Sequence, residues 1–158
     1  AQRLKQCQRS YQVINMSTSG DTTTQGLLKS NKIIQESPKP DVIIIELGGN
    51  DGLQGRPISL IEKNLTQIVQ TFKQQNIKVI LAGVRIPPNY GPQYTQAFSA
   101  LFDRVRSLGV FGFVPRILAN IAGHPSLMQD DGIHPKSEAQ KLMLENIWPA
   151  LEPLCQPK

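Results

Sequence analysis

The segment Asp41–Asp51, DVIIIELGGND, carries the pattern that decides the fold. Its first part is a continuous run of β-branched residues, which is typical of a parallel strand covered on both faces. Gly48, Gly49, Asn50 and Asp51 then form a polar turn at the carboxyl end of that strand. Ligands of open α/β sheets bind beyond the carboxyl ends of the strands, so this turn is a candidate part of a binding site.

Upstream of this segment, the sequence predicts a helix tail, one strand and one complete helix. Residues 1–7 have the composition of a helix tail, and Tyr11–Met16 alternates well enough for a short strand. Asp21 or Thr22 can cap a helix that runs to about Glu36. The inner face of that helix is expected to hold four aliphatic residues: Leu27, Leu28, Ile33 and Ile34.

Downstream, helices and strands continue to alternate. Pro57 opens a helix whose apolar residues recur every three or four positions, and Lys78–Val84 is a second buried strand. A helical stripe from Tyr94 to Leu108 precedes a weaker strand at Val110–Val114. A last helix from about Lys136 is expected to bury Leu142, Met143, Ile147 and Leu151. This order predicts an α/β protein with a doubly wound, flavodoxin-like parallel sheet between two helix layers.

Composition limits the partners that this chain can have. Its 158 residues suit a single domain, and its net charge of +5 comes from scattered basic residues, which does not favour a nucleic-acid partner. We find no apolar run of membrane-spanning length, and the residues before Tyr11 lack the apolar region of a signal peptide. His124 and His134 have no ligand cluster around them, so neither a metal nor another cofactor is predicted.

The segment Asp130–Pro135, DDGIHP, places a carboxylate three residues before an imidazole. Asp131 could accept a hydrogen bond from His134, fix the ring's tautomer and stabilise the imidazolium that forms when the other nitrogen takes a proton. By itself this spacing is more typical of a carboxylate that caps the helix starting near Pro135. Polar turns are expected at the carboxyl ends of three strands: Ser17–Thr22, Gly48–Asp51 and Arg85–Gly91. The catalytic interpretation gains weight because the Asp131–His134 segment can reach the same edge of the sheet.

Two of those turns offer hydrogen-bond donors. Gly20 supplies a backbone N–H group, and Asn50 can direct its side-chain amide into the same cleft. Two donors that converge on one point form an oxyanion hole, which stabilises a tetrahedral intermediate. Ordinary turn chemistry is the alternative explanation for each turn taken alone.

Taken together, these segments resemble the conserved blocks of the SGNH (GDSL) hydrolases. The resemblance rests on Ser19–Thr22, Glu46–Gly52 and Asp130–Pro135. Pro88–Gly91 and Ala97–Phe98 further resemble a stretch of the branch that holds periplasmic multifunctional thioesterases, lysophospholipases and arylesterases. This resemblance implies a periplasmic or secreted location.

The resemblance also implies an activity and a set of site residues. The activity is hydrolysis of small acyl esters, thioesters or lysophospholipids by a Ser-His-Asp triad. His134 would be the general base, Asp131 its orienting partner, and Gly20 and Asn50 the oxyanion donors. The substrate-binding residues would be Asp51 and five residues of the loop from Arg85 to Gly91: Ile86, Pro87, Pro88, Asn89 and Tyr90.

One block of the family pattern has no counterpart in this sequence. The family nucleophile is a serine in Gly-Asp-Ser-Leu, and the 158 residues contain no such motif. Gly20-Asp21-Thr22 superficially resembles it but already fills the second block, so we reject Thr22 as the nucleophile. We therefore expect one SGNH-like domain over residues 1–158 that lacks the first, central strand at its amino-terminal end. A catalytically inactive fragment, or a remnant that binds acyl ligands or a partner, is the alternative function.

A missing central strand would leave two predicted strands, Val13–Met16 and Val42–Leu47, with unpaired edges. Three outcomes remain open: the two strands close up on each other, another chain supplies the strand, or the fragment is unstable alone. The chain would accordingly be a monomer or would pair through its exposed strand edges.

The two cysteines lie near the two ends of the sequence. In the predicted topology the first and last helices share one face of the sheet, so Cys7 and Cys155 could approach each other and form a disulfide in the periplasm. Two unrelated cysteines are an equal alternative.

Overall fold

The computed structural model describes residues 3–7 and 10–156, apart from the side chain of Gln6. Two units can be distinguished in it. We call Gly20–Ile117 the central unit, and Ala1–Ser19 with Leu118–Lys158 the terminal unit. The assignment of residues 1–158 to one domain stays a prediction.

A parallel sheet of three strands forms the framework of the central unit. The strands are β1 (Val42–Ile45), β2 (Lys78–Ala82) and β3 (Gly112–Val114), in the spatial order β1-β2-β3. β2 pairs with β1 on one side and with β3 on the other, both in parallel. The prediction of an α/β protein with a parallel sheet is confirmed.

Four α-helices belong to the central unit: α1 (Thr23–Ile33), α2 (Gly49–Leu53), α3 (Ile58–Gln74) and α4 (Pro92–Arg106). A 3₁₀ turn, Pro88–Tyr90, precedes α4. α3 packs against α1, α4 and β2, and its buried residues follow the predicted apolar stripe. The core of this unit is formed mainly by aliphatic and phenylalanine side chains of α3, α4 and β2: Ile61, Leu65, Phe72, Val79, Leu81, Phe98 and Leu101.

Three of the four residues predicted for the inner face of α1 lie in or against the core: Ile33 is a core residue, and Leu27 and Ile34 pack against it. Leu28 is the exception. Leu28 is 67% exposed, whereas the buried residues are Thr23, Gly26, Ser30 and Ile33. These four recur every three or four positions and therefore share one side of the helix. Leu28 is two positions from both Gly26 and Ser30, which places it on the opposite side, so its assignment to the inner face is wrong.

β1 is less covered than its sequence predicts. Ile45 is buried, but Ile44 is 46% exposed, so the expectation that both faces of the strand are covered is wrong. In the described part of the chain β1 pairs only with β2 and is therefore an edge strand. β-Branched residues indicate an extended conformation, and what covers them depends on the neighbouring elements.

The described part of the terminal unit contains one α-helix and three 3₁₀ turns. α5 (Gln140–Leu151) follows the turn Ser137–Ala139 and leads into the turn Glu152–Cys155, and Arg3–Gln6 forms the turn near the amino-terminal end. The tail predicted for residues 1–7 is therefore a 3₁₀ turn where it is described, and residues 1 and 2 lie outside the described residues. A small core joins Ile121, Met128 and Ala139, against which Leu118, Leu127 and Met143 pack.

Two predictions fail in the terminal unit. The predicted strand Tyr11–Met16 has no regular secondary structure, and its side chain of Ile14 is 71% exposed. A strand needs a hydrogen-bonded partner, and short-range alternation of apolar residues cannot show whether one exists. In α5, Leu142 is exposed: it lies nine positions before the buried Leu151, which is about two and a half helical turns and therefore the opposite side of the helix.

The two ends of the sequence are joined within the terminal unit. Cys7 and Cys155 form a disulfide with a Cα–Cα distance of 4.5 Å. Arg3 donates a hydrogen bond to Glu145 Oε1 at 2.7 Å, and its guanidinium lies 4.0 Å from the centre of the Trp148 ring. The predicted proximity of the two cysteines is confirmed. Across the described residues, no helix combines the length and the apolar character needed to cross a membrane.

Removing the disulfide should destabilise the protein. We expect the double substitution Cys7→Ser and Cys155→Ser to lower the free energy of unfolding by up to about 4–5 kcal/mol in the chain-entropy model. The reason is that the bridge joins residues 148 positions apart, so it restricts a long loop of the unfolded chain. Urea denaturation of the oxidised protein measures the difference.

Reductant serves as the control for this experiment. It should lower the urea midpoint of the wild-type chain and leave that of the double variant unchanged. Two reactive thiols per chain in unreduced, denatured protein, or equal midpoints for both proteins, would contradict the prediction.

Candidate active site

The polar turn predicted after β1 is the start of a short helix. Gly48 has a left-handed φ of +105° and precedes α2, so Asn50 and Asp51 lie in the first turn of that helix. Only glycine adopts such a φ at little cost, which explains how the chain passes from β1 into α2 within a few residues. The prediction of a turn at Gly48–Asp51 is corrected in this respect.

The two predicted oxyanion donors belong to segments that are hydrogen-bonded to each other. The side-chain amide of Asn50 donates a hydrogen bond from Nδ2 to the carbonyl oxygen of Asp21 at 2.8 Å. Asp21 directly follows Gly20, whose φ of +83° also lies in the left-handed region. The structure therefore brings the Asn50 amide to the turn that contains Gly20.

Asp51 does not fit the substrate-binding role predicted for it. Its side chain is 0% exposed. One carboxylate oxygen accepts a hydrogen bond from the backbone N–H of Thr23 at 2.7 Å, and the other accepts one from the Thr23 hydroxyl at 2.8 Å. A substrate cannot reach a carboxylate in this position, because both of its oxygens are buried and engaged.

Thr22 is also unavailable for chemistry on a substrate. Its side chain is 2% exposed, and it caps α1. The Thr22 backbone N–H donates to Gln25 Oε1 at 3.1 Å, as in a capping box. This placement agrees with our rejection of Thr22 as a nucleophile.

The loop from Arg85 to Gly91 borders a cavity in the central unit. The cavity has a volume of about 640 Å³, and its lining includes Ile86 and Pro88 from the loop and Phe102 and Asp103 from α4. Pro87, Asn89 and Tyr90 are not part of that lining.

Tyr90 has a packing role in this loop. Its hydroxyl donates a hydrogen bond to the carbonyl oxygen of Leu53 at 2.7 Å, which ties the loop to the end of α2. Its ring lies 6.3 Å from that of Tyr94, and Tyr94 is followed along α4 by Phe98 at 6.4 Å. A row of aromatic rings thus supports the loop.

Asp131 and His134 form the predicted hydrogen-bonded pair in the terminal unit. Asp131 Oδ2 lies 2.7 Å from His134 Nδ1. Asp131 Oδ1 accepts backbone N–H groups from Ile133 at 2.9 Å and from His134 at 3.0 Å. The carboxylate therefore bonds the backbone of its own loop with one oxygen and the imidazole with the other. The alternative in which it caps the following helix is wrong.

The loop that carries this pair is closed by backbone hydrogen bonds. Gln129 N–H donates to the carbonyl oxygen of His134 at 2.8 Å, and Lys136 N–H donates to that of Leu127 at 2.8 Å. Met128, which is buried in the small core of the terminal unit, pairs with Pro135 across the loop. These bonds constrain the backbone that carries the imidazole, and the imidazole itself is exposed.

Hydrogen bonding also changes the acidity of Asp131. The side-chain bond to His134, followed by the two backbone N–H groups, lowers the pKa of the Asp131 carboxyl from 3.8 to about 2. Donors that bond the ionised form favour it. Asp131 is therefore ionised at any pH at which an ester hydrolase works, and can hold the imidazole with Nδ1–H pointing toward it.

Two residues near the predicted donors, Thr23 and Asn64, were not predicted from the sequence. Asn64, which is buried on α3, donates from Nδ2 to the hydroxyl of Thr23 at 3.0 Å and to that of Thr24 at 3.3 Å. Neither Thr23 nor Asn64 belongs to a recognisable motif. The one available signal was Thr22 followed three residues later by Gln25, which marks the start of α1 but not its partners.

The candidate residues divide between the units. Gly20 and Asn50 lie in the central unit, and Asp131 and His134 in the terminal unit. Among the described residues, no group of three or more His, Cys, Asp or Glu side chains could hold a metal ion.

Comparison with known proteins gives one family. The model of the GDSL-like lipase/acylhydrolase family matches residues 1–142. The chain is similar to esterase TesA of Pseudomonas aeruginosa, with 43% identity over 144 residues that cover 91% of this chain and 71% of that protein. It is also similar to thioesterase 1/protease 1/lysophospholipase L1 of Escherichia coli K12, with 37% identity over 142 residues that cover 90% of this chain and 68% of that protein.

The fold has a counterpart among solved structures. A crystal structure of TesA superposes with a TM-score of 0.90 at 40% sequence identity, and the match covers 97% of this chain and 84% of that chain. This likeness agrees with the predicted α/β class with helices on both faces of a parallel sheet.

The Asp131 carboxyl should titrate at an unusually low pH. We expect a midpoint near 2 in carbon-detected NMR, against an ordinary value of 3.8. Because the pKa is lower in the folded than in the unfolded chain, Asp131 contributes stability that is complete above its unfolded pKa and is lost as the pH falls through about 2.

The substitution His134→Ala tests the cause of this shift. It removes the side-chain hydrogen bond to Asp131 and should therefore raise the titration midpoint of the Asp131 carboxyl. The backbone N–H groups of residues 133 and 134 should still hold that midpoint below 3.8. His124→Ala, in the same unit, is the matched control. An unchanged midpoint in His134→Ala would show that the ring does not bond the carboxylate in solution.

Proposed function

This chain belongs to the GDSL-like lipase/acylhydrolase family, and from that membership we propose that it supplies the general base and the oxyanion donors of a serine ester hydrolase. Its resemblance to an esterase and to a thioesterase/lysophospholipase supports ester hydrolysis as the reaction. The proposed substrates are small acyl esters, thioesters or lysophospholipids.

The observation that carries the proposal is the bond between Asp131 and His134. With Asp131 Oδ2 2.7 Å from Nδ1 of the ring, Nδ1 holds the proton and Nε2 presents its lone pair. Nε2 can then take a proton from a hydroxyl group or from water as that oxygen attacks an acyl carbon. The ionised Asp131 stabilises the imidazolium until the proton passes to the leaving group.

Gly20 and Asn50 are the proposed donors to the oxygen of the tetrahedral intermediate. Asn50 uses one of its two amide hydrogens for the Asp21 carbonyl oxygen, and that bond fixes the plane of the amide. The second amide hydrogen is then available in a fixed direction, which is what electrostatic stabilisation of a developing charge requires.

The loop from Arg85 to Gly91 is proposed to border the site for the acyl chain. Ile86 and Pro88 give this loop an apolar surface on a cavity of about 640 Å³. A periplasmic location is also proposed. The Cys7–Cys155 disulfide supports it, because disulfides persist in oxidising compartments.

A second candidate function follows from one feature of the sequence. The 158 residues contain no Gly-Asp-Ser motif, so they show no serine in the family's position for the nucleophile. In this alternative the chain binds acyl ligands or a partner without turning over an ester.

A serine-directed probe should not label the chain stoichiometrically. We expect a fluorophosphonate to leave the intact mass of the 158-residue chain unchanged under conditions that fully label a serine esterase. The reason is that His134 has no motif serine to activate within these residues. Stoichiometric labelling of any serine, mapped by peptide mass spectrometry, would contradict this prediction.

The chain should nevertheless accelerate hydrolysis of an activated ester by water. Enzymes that lack one triad member can retain about 10³–10⁴-fold catalysis from the oxyanion hole and binding. In this chain His134 can in addition take a proton from the attacking water, so part of the rate should depend on the imidazole. On p-nitrophenyl butyrate we expect His134→Gln and Asn50→Ala each to lower kcat by at least about ten-fold with little change in KM. His124→Gln is the matched control and should behave as wild type.

The outcomes distinguish the two functions. Loss of kcat in His134→Gln but not in His124→Gln supports the hydrolase. A wild-type chain that binds butyrate with no hydrolysis above the buffer rate would favour the ligand-binding alternative. An Asn50→Ala variant that changes only KM would exclude Asn50 as an oxyanion donor.

A further inference from the structure

Asp51 is a buried carboxylate that the proposed reaction does not use. It follows Asn50 directly in α2 and is completely buried. Burying a carboxylate is costly unless hydrogen bonds compensate for its lost hydration. Its two oxygens receive the N–H group and the hydroxyl of a single residue, Thr23, at 2.7 and 2.8 Å.

Thr23 connects this carboxylate to a third helix. It is the first residue of α1 and is itself fully buried. Its hydroxyl donates to Asp51 and accepts a hydrogen bond from Asn64 Nδ2 at 3.0 Å. A directed chain of hydrogen bonds therefore runs from α3 through α1 to α2, and every member of it is buried.

This chain lies beside the two proposed oxyanion donors. Gly20 is three residues before Thr23, and Asn50 is one residue before Asp51. The bond from Asn50 to the Asp21 carbonyl oxygen at 2.8 Å forms a second link between the same two segments. Segments 20–23 and 50–51 are thus joined by three hydrogen bonds, two of them to Asp51.

We propose that Asp51, acting through Thr23 and Asn64, is a positioning residue that holds Gly20 and Asn50 in the relative arrangement needed for an oxyanion hole. This inference rests on the proposed function. Asp51 itself does not touch the substrate. Its effect is to fix the start of α1, and with it the Gly20 turn, against the helix that presents Asn50.

A purely structural network would behave differently from a positioning network. Loss of any buried hydrogen bond lowers stability. Only a positioning residue lowers kcat at saturating substrate, at temperatures where the variant is fully folded, in the same manner as loss of the donor itself. The comparison therefore needs a control that loses a buried hydroxyl of α1 outside the network.

Ser30 provides that control. It is 1% exposed, lies two turns after Thr23 on the same side of α1, and donates to the carbonyl oxygen of Leu27 at 2.8 Å. We expect Ser30→Ala to lower the unfolding temperature without changing kcat for p-nitrophenyl butyrate. Asp51→Asn and Thr23→Val, both close in shape to the native residues, should lower kcat about ten-fold or more with KM little changed. Thr23→Ser keeps both donors and should restore at least half of the wild-type kcat.

An independent measurement needs no turnover. In ¹⁵N-resolved NMR of the 158-residue chain, the Gly20 amide and the Asn50 side-chain amide should shift, and the Gly20 amide should exchange faster with solvent, in Asp51→Asn and Thr23→Val. Neither signal should move in Ser30→Ala. If Asp51→Asn does not fold, Thr23→Val and Asn64→Leu are read in the same way.

The results separate this inference from the proposed function. A wild-type chain without His134-dependent turnover would overturn the proposed function, and the NMR signals would still decide the positioning role. Folded Asp51→Asn and Thr23→Val variants with a wild-type kcat, or with unshifted Gly20 and Asn50 signals, would overturn the positioning role alone. A kcat loss as large in Ser30→Ala would also overturn it.

Discussion

The buried carboxylate of Asp51 is satisfied by two hydrogen bonds from Thr23, and the placement of α1 against α2 in the central unit depends on them. The N–H group at the first residue of α1 has no partner within its own helix, and Asp51 supplies one. A negative charge at the amino-terminal end of a helix is also favoured by the helix dipole. Fold and candidate site share this interaction, because the same contact that begins α1 places α2, and therefore Asn50, beside the Gly20 turn.

The pair formed by Asp131 and His134, in contrast, depends on contacts between residues that are close in the sequence. Its geometry arises within a short loop, in which one carboxylate oxygen takes two backbone N–H groups and the other takes the ring. A small buried core anchors the loop through Met128. Because the pair needs few distant contacts, it can remain exposed and accessible while the ring orientation stays fixed.

The accuracy of the sequence-based predictions follows the range of the interactions involved. α3 was predicted together with its buried face, since five aliphatic and aromatic side chains mark that face. α1 was predicted with part of its inner face, namely Leu27, Ile33 and Ile34. Gly26 and Ser30 on the buried side were not, because they are small or polar and leave no apolar signal. Tyr11–Met16 alternates like a strand but has no strand structure, and alternation cannot reveal whether a hydrogen-bonded partner exists.

By itself, the sequence determined the alternation of strands and helices, the parallel sheet, the Asp131–His134 pair and the family. Each of these is set by residues close together in the chain or by motifs in a recognisable order. Only the tertiary structure decided that Asp51 is buried and not in contact with a substrate, and that Thr23 and Asn64 are its partners. The physical reason is distance along the chain: Thr23 and Asp51 are 28 residues apart, and Thr23 and Asn64 are 41 apart. No local pattern of hydrophobicity or capping encodes which buried polar groups will meet once three helices pack together.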